Sequence, residues 1–250
     1  MAGAVPTMKA MLLPRRKPVE NTPLILTDLP QPEPGPQEIL VRVRACGVCH
    51  TDLHTVEGEI EGRLPVVPGH QIVGVVEKAG AAVSDFRVGD RVGVPWLHRT
   101  CGACPYCRSD RENLCEQAQF TGLNVNGGYA EFAVAHAGYA VKIPDQYSDT
   151  EAAPLLCAGI VGFRALRLAL EGHAAAAGAQ KPDAPQQLDV RLGLYGFGGS
   201  AHIALQVAAR WRCEVSVATR GAEHQRLARN WAPSGPVAPR RCRPPRWTRR

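Results

Sequence analysis

The sequence predicts a β domain followed by the start of an α/β domain: a small, strongly coiled barrel, then a parallel sheet that is only begun. Three observations predict it. As far as about residue 140 the chain is a series of short apolar runs separated by Gly and Pro, the pattern of strands and turns. From about residue 148 long helical runs alternate with two strands. A glycine turn, Gly196-Phe197-Gly198, joins the first of those strands to the helix after it.

The first part is read strand by strand. Residues 38–49, EILVRVRACGVC, place Ile39, Val41, Val43 and Ala45 at alternate positions, as a half-buried strand requires. Residues 71–80 and 89–96 are further strands bounded by glycine, and 128–136 another. Ser148 and Glu151 form a capping box ahead of the apolar run 152–170. Residues 173–187, rich in small residues and proline, read as a flexible connection. A buried strand over 190–196 follows, then a helix to Trp211, a strand over 213–220 and a helix over 222–230.

The net charge of +6 comes from the end of the chain. Arg240, Arg241, Arg243, Arg246, Arg249 and Arg250 fall in the last eleven residues, and setting them aside leaves 23 basic and 23 acidic side chains. Five prolines between Pro233 and Pro245 and no helical period make 232–250 a disordered tail rather than a nucleic-acid-binding element. No stretch approaches the ~20 apolar residues of a membrane span. The first residues lack a basic start followed by a long apolar run, so a cytoplasmic protein is expected.

Nine cysteines are many for such a setting, where disulfides are rarely kept. Cys101, Cys104, Cys107 and Cys115 follow C-x2-C-x2-C-x7-C, a spacing that turns four thiolates onto one ion and leaves no open position. Structural zinc is the reading; two disulfides and an iron–sulfur cluster are the competing ones. A second constellation joins the segments GVCHTDLH (Gly47–His54) and PGHQIVGVV (Pro68–Val76) to Cys157. Two thiolates and one imidazole leave a fourth position for water or substrate, the mark of a catalytic zinc.

The turn over Tyr195–Ala201, YGFGGSA, carries Gly196, Gly198 and Ala201 in a G-x-G-x-x-A pattern between a strand and a helix, where a pyrophosphate binds the helix N-terminus. The next strand ends at Thr219-Arg220, without the acid that commonly holds the ribose hydroxyls of NAD. Arg220 either pairs with a 2′-phosphate, favouring NADP, or is an exposed arginine at a strand end.

Over residues 8–230 the chain resembles the zinc-dependent alcohol dehydrogenases of the medium-chain dehydrogenase/reductase family. The resemblance rests on GVCHTDLH, the glycine-spaced run Gly69–Val83, VGDRVGVPW (Val88–Trp96), the four-cysteine lobe, GGYAEF (Gly127–Phe132) and PLLCAG (Pro154–Gly159). It implies a GroES-like catalytic domain over 1–160 and an incomplete Rossmann dinucleotide-binding domain over 161–231, ahead of the tail. It implies Cys49, His70 and Cys157 as ligands of the catalytic zinc, with Cys46 a small buried neighbour. Asp52 would orient the zinc-bound histidine, Thr51 would bond the substrate oxygen, and His54 would relay the proton, its alternative being a surface histidine. His50 would contact the cofactor pyrophosphate, and Trp96 would line the substrate pocket. Two zinc ions per chain, NAD(P) and a small alcohol or aldehyde follow from the same resemblance, and homo-oligomers are compatible with it.

Two positions depart from the family pattern. Gln71 replaces the usual glutamate after the zinc-binding histidine, and Val161 stands where a threonine near the nicotinamide is common. The family also continues past residue 231, which suggests truncation or a shifted frame. Two functions are therefore expected to compete: an NAD(P)-linked alcohol dehydrogenase, and a zinc-binding fragment of one with little or no activity.

Overall fold

The computed structural model describes residues 5–176 and 190–231. The expected tail over 232–250 and the part of the expected connection over 177–187 lie outside the described residues. The chain falls into two compact units, Met1–Cys157 and Ala158–Arg250.

β-branched runs broken by glycine satisfy their backbone groups by cross-strand pairing, and the first unit is built that way. Its strands are β1 (Thr7–Leu12), β2 (Ile25–Pro30), β3 (Glu38–Gly47), β4 (Gln71–Ala79), β5 (Arg91–Val94), β6 (Leu97–Arg99), β7 (Gln119–Phe120), β8 (Phe132–His136) and β9 (Val141–Lys142). Five of them form an antiparallel sheet in the order β8-β3-β4-β5-β9, while β1 pairs with β2 and β6 with β7. Register shifts between Leu40 and Val41, and between Val43 and Ala45, interrupt the β3–β4 ladder. Bulges of this kind bend a strand and increase its twist, so the long β3 is coiled rather than flat.

The expected alternation along β3 is present only in part. Ile39, Val41, Ile72, Val76, Val92 and Val94 form the centre of the barrel core. Leu40 points the other way and is buried too, so the end of β3 near β8 is covered on both faces. Beyond it Arg42 and Arg44 are solvent-exposed.

A short helix, α1 (His50–Glu57), leaves the end of β3 and stops at Gly58, whose φ of 91° supplies the left-handed C-cap. The capping box expected at Ser148 and Glu151 is formed and opens α2 (Asp149–Ala152). The apolar run beyond it is not one helix. A 3-10 turn over Ala153–Leu156 with Pro154 at its start ends at Cys157, whose backbone (φ −129°, ψ −75°) is non-helical, and α3 (Ala158–Ala176) begins afterwards. The break leaves Cys157 outside both helices.

The second unit holds α3, β10 (Arg191–Tyr195), α4 (Gly199–Arg210), β11 (Glu214–Ala218) and α5 (Ala222–Trp231), with β10 and β11 parallel. Leu166, Leu170, Phe197, Leu205, Ala208 and Val215 form its core. Two expectations are corrected here. The connection does not start at residue 173, because α3 runs to Ala176 through alanines, the best helix formers. The strand β10 is not buried: Leu192 and Leu194 pack on the core, but Arg191, Gly193 and Tyr195 are exposed, Tyr195 by 78%. Among the described residues this sheet has two strands, and only one face of β10 is covered. No single helix among the described residues is long and apolar enough to cross a membrane.

His98 on β6 supplies a pH test of the barrel. Its ring is buried, Nδ1 has no hydrogen-bond partner among the described residues, and Glu38 Oε1 is 3.9 Å from Nε2. Burial therefore holds its pKa below the ordinary 6.5. As pH falls through that range the unfolded chain takes up a proton that the folded chain refuses, so stability declines until the lower folded value is reached. Urea unfolding between pH 7.5 and 5.5 is expected to show a shallower loss of stability in His98→Gln than in the parent chain; parallel slopes would contradict it.

Candidate metal centre

Three segments meet in the first unit. Cys49 is the N-cap of α1, with extended backbone (φ −139°, ψ 171°), and its Sγ accepts from Thr51 N at 3.2 Å. Asp52, one turn in, returns the bond: its Oδ2 accepts from Cys49 N at 3.0 Å. A thiol thus fills the place that Ser or Thr usually takes in a capping box, and the positive helix terminus favours its thiolate. The second segment enters β4 through Gly69, whose φ of 97° lets the chain turn, and delivers His70 with 1% of its surface exposed. The third is the break at Cys157.

Cys49 Sγ, His70 and Cys157 Sγ bring one ligand atom each to within 4.8 Å of one another. His70 Nε2 is 3.4 Å from Cys49 Sγ, while Nδ1 is 3.0 Å from Asp52 Oδ1. Asp52 Oδ1 also accepts from Gly69 N at 3.2 Å. The carboxylate therefore determines which ring nitrogen turns towards the thiols. Trp96 closes one side, edge-on to His70 at 4.9 Å and stacked on Phe120 at 5.0 Å.

Proton affinities in the group follow from these contacts. A hydrogen bond from Cys157, helped by His70 and Thr51 against the effect of burial, holds the Cys49 thiol down at about 2. The same bond, with burial, pushes Cys157 up. Burial disfavours a charged His70, but its bonds to Asp52 and Cys49 outweigh that and raise it to about 9. The three groups share protons as one unit, and two sulfurs with one imidazole are the donor set that zinc displaces protons from. Cys46 lies outside the group; burial raises its thiol to about 12.

The second group gathers Cys101, Cys104, Cys107 and Cys115, again within 4.8 Å of one another, all as free thiols. Backbone N–H groups point inward, with Cys104 N 3.3 Å from Cys101 Sγ and Cys107 N 3.4 Å from Cys104 Sγ. Thr100, directly before the first cysteine, joins Cys107 Sγ at 3.4 Å to the Tyr139 hydroxyl at 2.6 Å. Thr100, Tyr139 and Phe120 were not legible as site residues in the sequence, since each acts across a fold contact with no local motif.

Other expected site residues are placed around α1. Thr51 is half-buried and His50 exposed. His54 is paired with Glu59, Nδ1 to Oε2 2.6 Å and out of line with the ring N–H, rather than with the Thr51 hydroxyl. The Gln71 amide is buried against Gly47, its Oε1 2.7 Å from the point a Cβ at Gly47 would occupy.

The glycine turn belongs to the second unit. Gly196 needs its glycine, with φ of 88°. Gly198 does not adopt a left-handed conformation: it is the N-cap of α4 (φ −91°, ψ −168°), and a Cβ there would meet open space, as it would at Gly196. That space is what close approach of a phosphate requires. Ala201 packs on the core. Thr219 O accepts from Gln225 Nε2, and Arg220 is exposed. Val161 is 56% exposed.

Comparison with known proteins agrees with this picture. Residues 35–145 match the alcohol dehydrogenase GroES-like domain. The chain is 47% identical over 228 residues to "Probable alcohol dehydrogenase AdhA" of Mycobacterium tuberculosis, covering 89% of this chain and 62% of that protein. It is 43% identical to an alcohol dehydrogenase of Geobacillus stearothermophilus, covering 83% and 58%. A zinc-binding dehydrogenase of Sinorhizobium meliloti, solved with NADP, superposes with a TM-score of 0.73 at 29% identity, covering 92% of this chain and 61% of that one. Acetophenone reductase of Geotrichum candidum, solved with NAD, gives 0.73 at 29%, covering 92% and 63%. Residues 35–145 are an alcohol dehydrogenase GroES-like domain, and the fold as a whole, a GroES-like barrel followed by part of a Rossmann domain, is similar to that of zinc-binding dehydrogenases and alcohol dehydrogenases. It spans about three fifths of the length of the relatives it matches.

Asp52 offers a direct test of the geometry. Asp52→Asn keeps one acceptor oxygen, which can serve Gly69 N and His70 Nδ1, but it turns an NH2 towards Cys49 N and removes the charge behind His70. Zinc retention by the Cys49–His70–Cys157 group is expected to weaken by about tenfold or more in a chelator competition, with the four-cysteine group unaffected. Equal retention in both proteins would contradict the bracing role.

Proposed function

We propose that the chain acts as a zinc-dependent alcohol dehydrogenase, moving hydride reversibly between a small alcohol or aldehyde and NAD(P). The observation that carries this reading is the three-donor group braced by a buried carboxylate, a donor set that would leave a four-coordinate ion one further position. Cys49, His70 and Cys157 would hold one zinc ion, and Cys101, Cys104, Cys107 and Cys115 a second, structural one. Zinc held by Cys49, His70 and Cys157 would supply Lewis-acid chemistry, polarising a substrate oxygen and lowering the pKa of a bound alcohol.

The chain's own residues have distinct tasks in this reading. Asp52 fixes the tautomer and orientation of His70. Thr51, whose N–H donates to Cys49 Sγ, would supply the hydroxyl that hydrogen-bonds the substrate oxygen. His54, held by Glu59, passes the proton outward. Trp96, stacked on Phe120 over His70, narrows the space for substrate and favours small ones. His50, which the resemblance assigns to cofactor binding, is exposed at the start of α1. The uncharged Gln71 brings no negative charge near the metal, unlike the glutamate usual there, and so alters exchange at the open position.

The cofactor would lie on the Gly196–Ala201 turn, with its pyrophosphate at the N-terminus of α4. Thr219 and Arg220 at the end of β11 would meet the adenosine ribose. An arginine without an acid beside it favours a 2′-phosphate, hence NADP over NAD. The matched structures include proteins solved with either. The domain organisation proposed with this reading is a catalytic domain over 1–160 and a cofactor domain over 161–231.

A second reading is a zinc-binding fragment with little or no hydride transfer. It is favoured by the two-stranded sheet among the described residues and its exposed β10 face. Fluorescence titration of the zinc-loaded chain with NADPH and NADH separates the two. Saturable binding, several-fold tighter for NADPH and reduced towards the NADH value in Arg220→Ala, is expected; no binding of either would favour the fragment.

A further inference from the structure

Tyr129 belongs to neither metal group and lies in the link between β7 and β8. Its backbone is tied to the segment that carries His70: Tyr129 N donates to Pro68 O at 3.0 Å, and Gly128 N to Gly69 O at 2.8 Å. On the other side, Tyr129 O accepts from Met11 N at 2.8 Å. The ring rests against Gly69, where a Cβ would stand 2.6 Å from Cδ1 and 2.9 Å from Cε1. No side chain separates the ring from the residue before the histidine.

The hydroxyl at the far end of the ring is buried and has no hydrogen-bond partner among the described residues. The polar groups gathered at the same glycine are the Asp52 carboxylate, whose Oδ1 accepts from Gly69 N at 3.2 Å, and the Cys46 thiol, 2.9 Å from the point a Cβ at Gly69 would occupy. A buried phenol ordinarily finds a partner. Cys46 is a poor one, since burial keeps it a neutral thiol and thiols are weak acceptors. Asp52 has room. A carboxylate offers about four acceptor sites; Oδ1 takes bonds from His70 Nδ1 and Gly69 N, while Oδ2 takes one, from Cys49 N.

We propose that Tyr129 is a positioning residue of the metal centre, its phenolic O–H donating to the open site on Asp52 Oδ2 and so fixing the carboxylate that orients His70. The sequence places Tyr129 in a strand and in the GGYAEF run but gives it no role, yet it completes a chain from the β7–β8 link through Asp52 to a ligand. This rests on the reading of Cys49, His70 and Cys157 as a metal centre.

The test is chelator competition on the zinc-loaded full chain, repeated after cobalt(II) exchange, whose thiolate charge-transfer bands report ligand geometry. Tyr129→Phe keeps the ring on Gly69 and removes only the hydroxyl. It is expected to weaken retention at the three-donor group by about tenfold and to shift that group's cobalt bands, leaving the four-cysteine group unchanged. In an Asp52→Asn background the same substitution should add nothing. Retention equal to the parent chain, equal losses at both groups, or an undiminished loss in the Asp52→Asn background would each overturn the proposal. Should Tyr129→Phe not fold, the ultraviolet resonance Raman spectrum of tyrosine is compared between the parent chain and Asp52→Asn; a shift in the phenol hydrogen-bond marker supports the donation, and identical spectra overturn it. A parent chain that holds metal only on the four cysteines would instead overturn the metal-centre reading itself, and this inference with it.

Discussion

The buried carboxylate of Asp52 is the interaction on which the rest of the site depends. Only 5% of the residue is exposed, and an unpaired carboxylate so placed would be costly. It is accommodated because each oxygen accepts from groups the fold must position anyway: the amide that begins α1, the amide of Gly69, and the ring of His70. One side chain thereby ties the exit of β3 to the entrance of β4 and selects the tautomer of the histidine. The barrel core beneath holds the two strands in antiparallel register, Cys46 opposite Ile72 and Gly47 opposite Gln71, so the carboxylate bridges ends that are already close.

The two cysteine groups are held in different ways. In the four-cysteine lobe the ligands come from one short segment whose own amides point at the sulfurs, so most of its geometry is local. The three-donor group is assembled from residues 49, 70 and 157, and its geometry belongs to the whole barrel. A local lobe tolerates change elsewhere in the chain, whereas the distant triad depends on β3, β4 and the helix break all being in place.

That difference explains what could be read in the sequence. The C-x2-C-x2-C-x7-C spacing is itself a geometric statement, and the lobe follows from it. The alternation in residues 38–49 marked β3, though Leu40 was missed as core because alternation describes one covered face and β3 is covered on two at that end. Cys157 lies in an apolar run that looks helical throughout; Pro154 marks the 3-10 turn only once its outcome is known. Tyr129 and Phe120 had no signal of their own, because each acts through a partner dozens of residues away. The strand at 190–196 looked buried from its composition, but burial depends on what covers a face, and sequence composition does not carry that.

The central claim is that Cys49, His70 and Cys157 form a metal site separate from the four-cysteine lobe. Native mass spectrometry of the purified full chain, alongside Cys157→Ser, tests it most directly. The expected result is two zinc ions on the parent chain and, because serine is a far poorer zinc ligand, a single retained ion on the variant. One ion on both proteins, or two held equally by both, would contradict it.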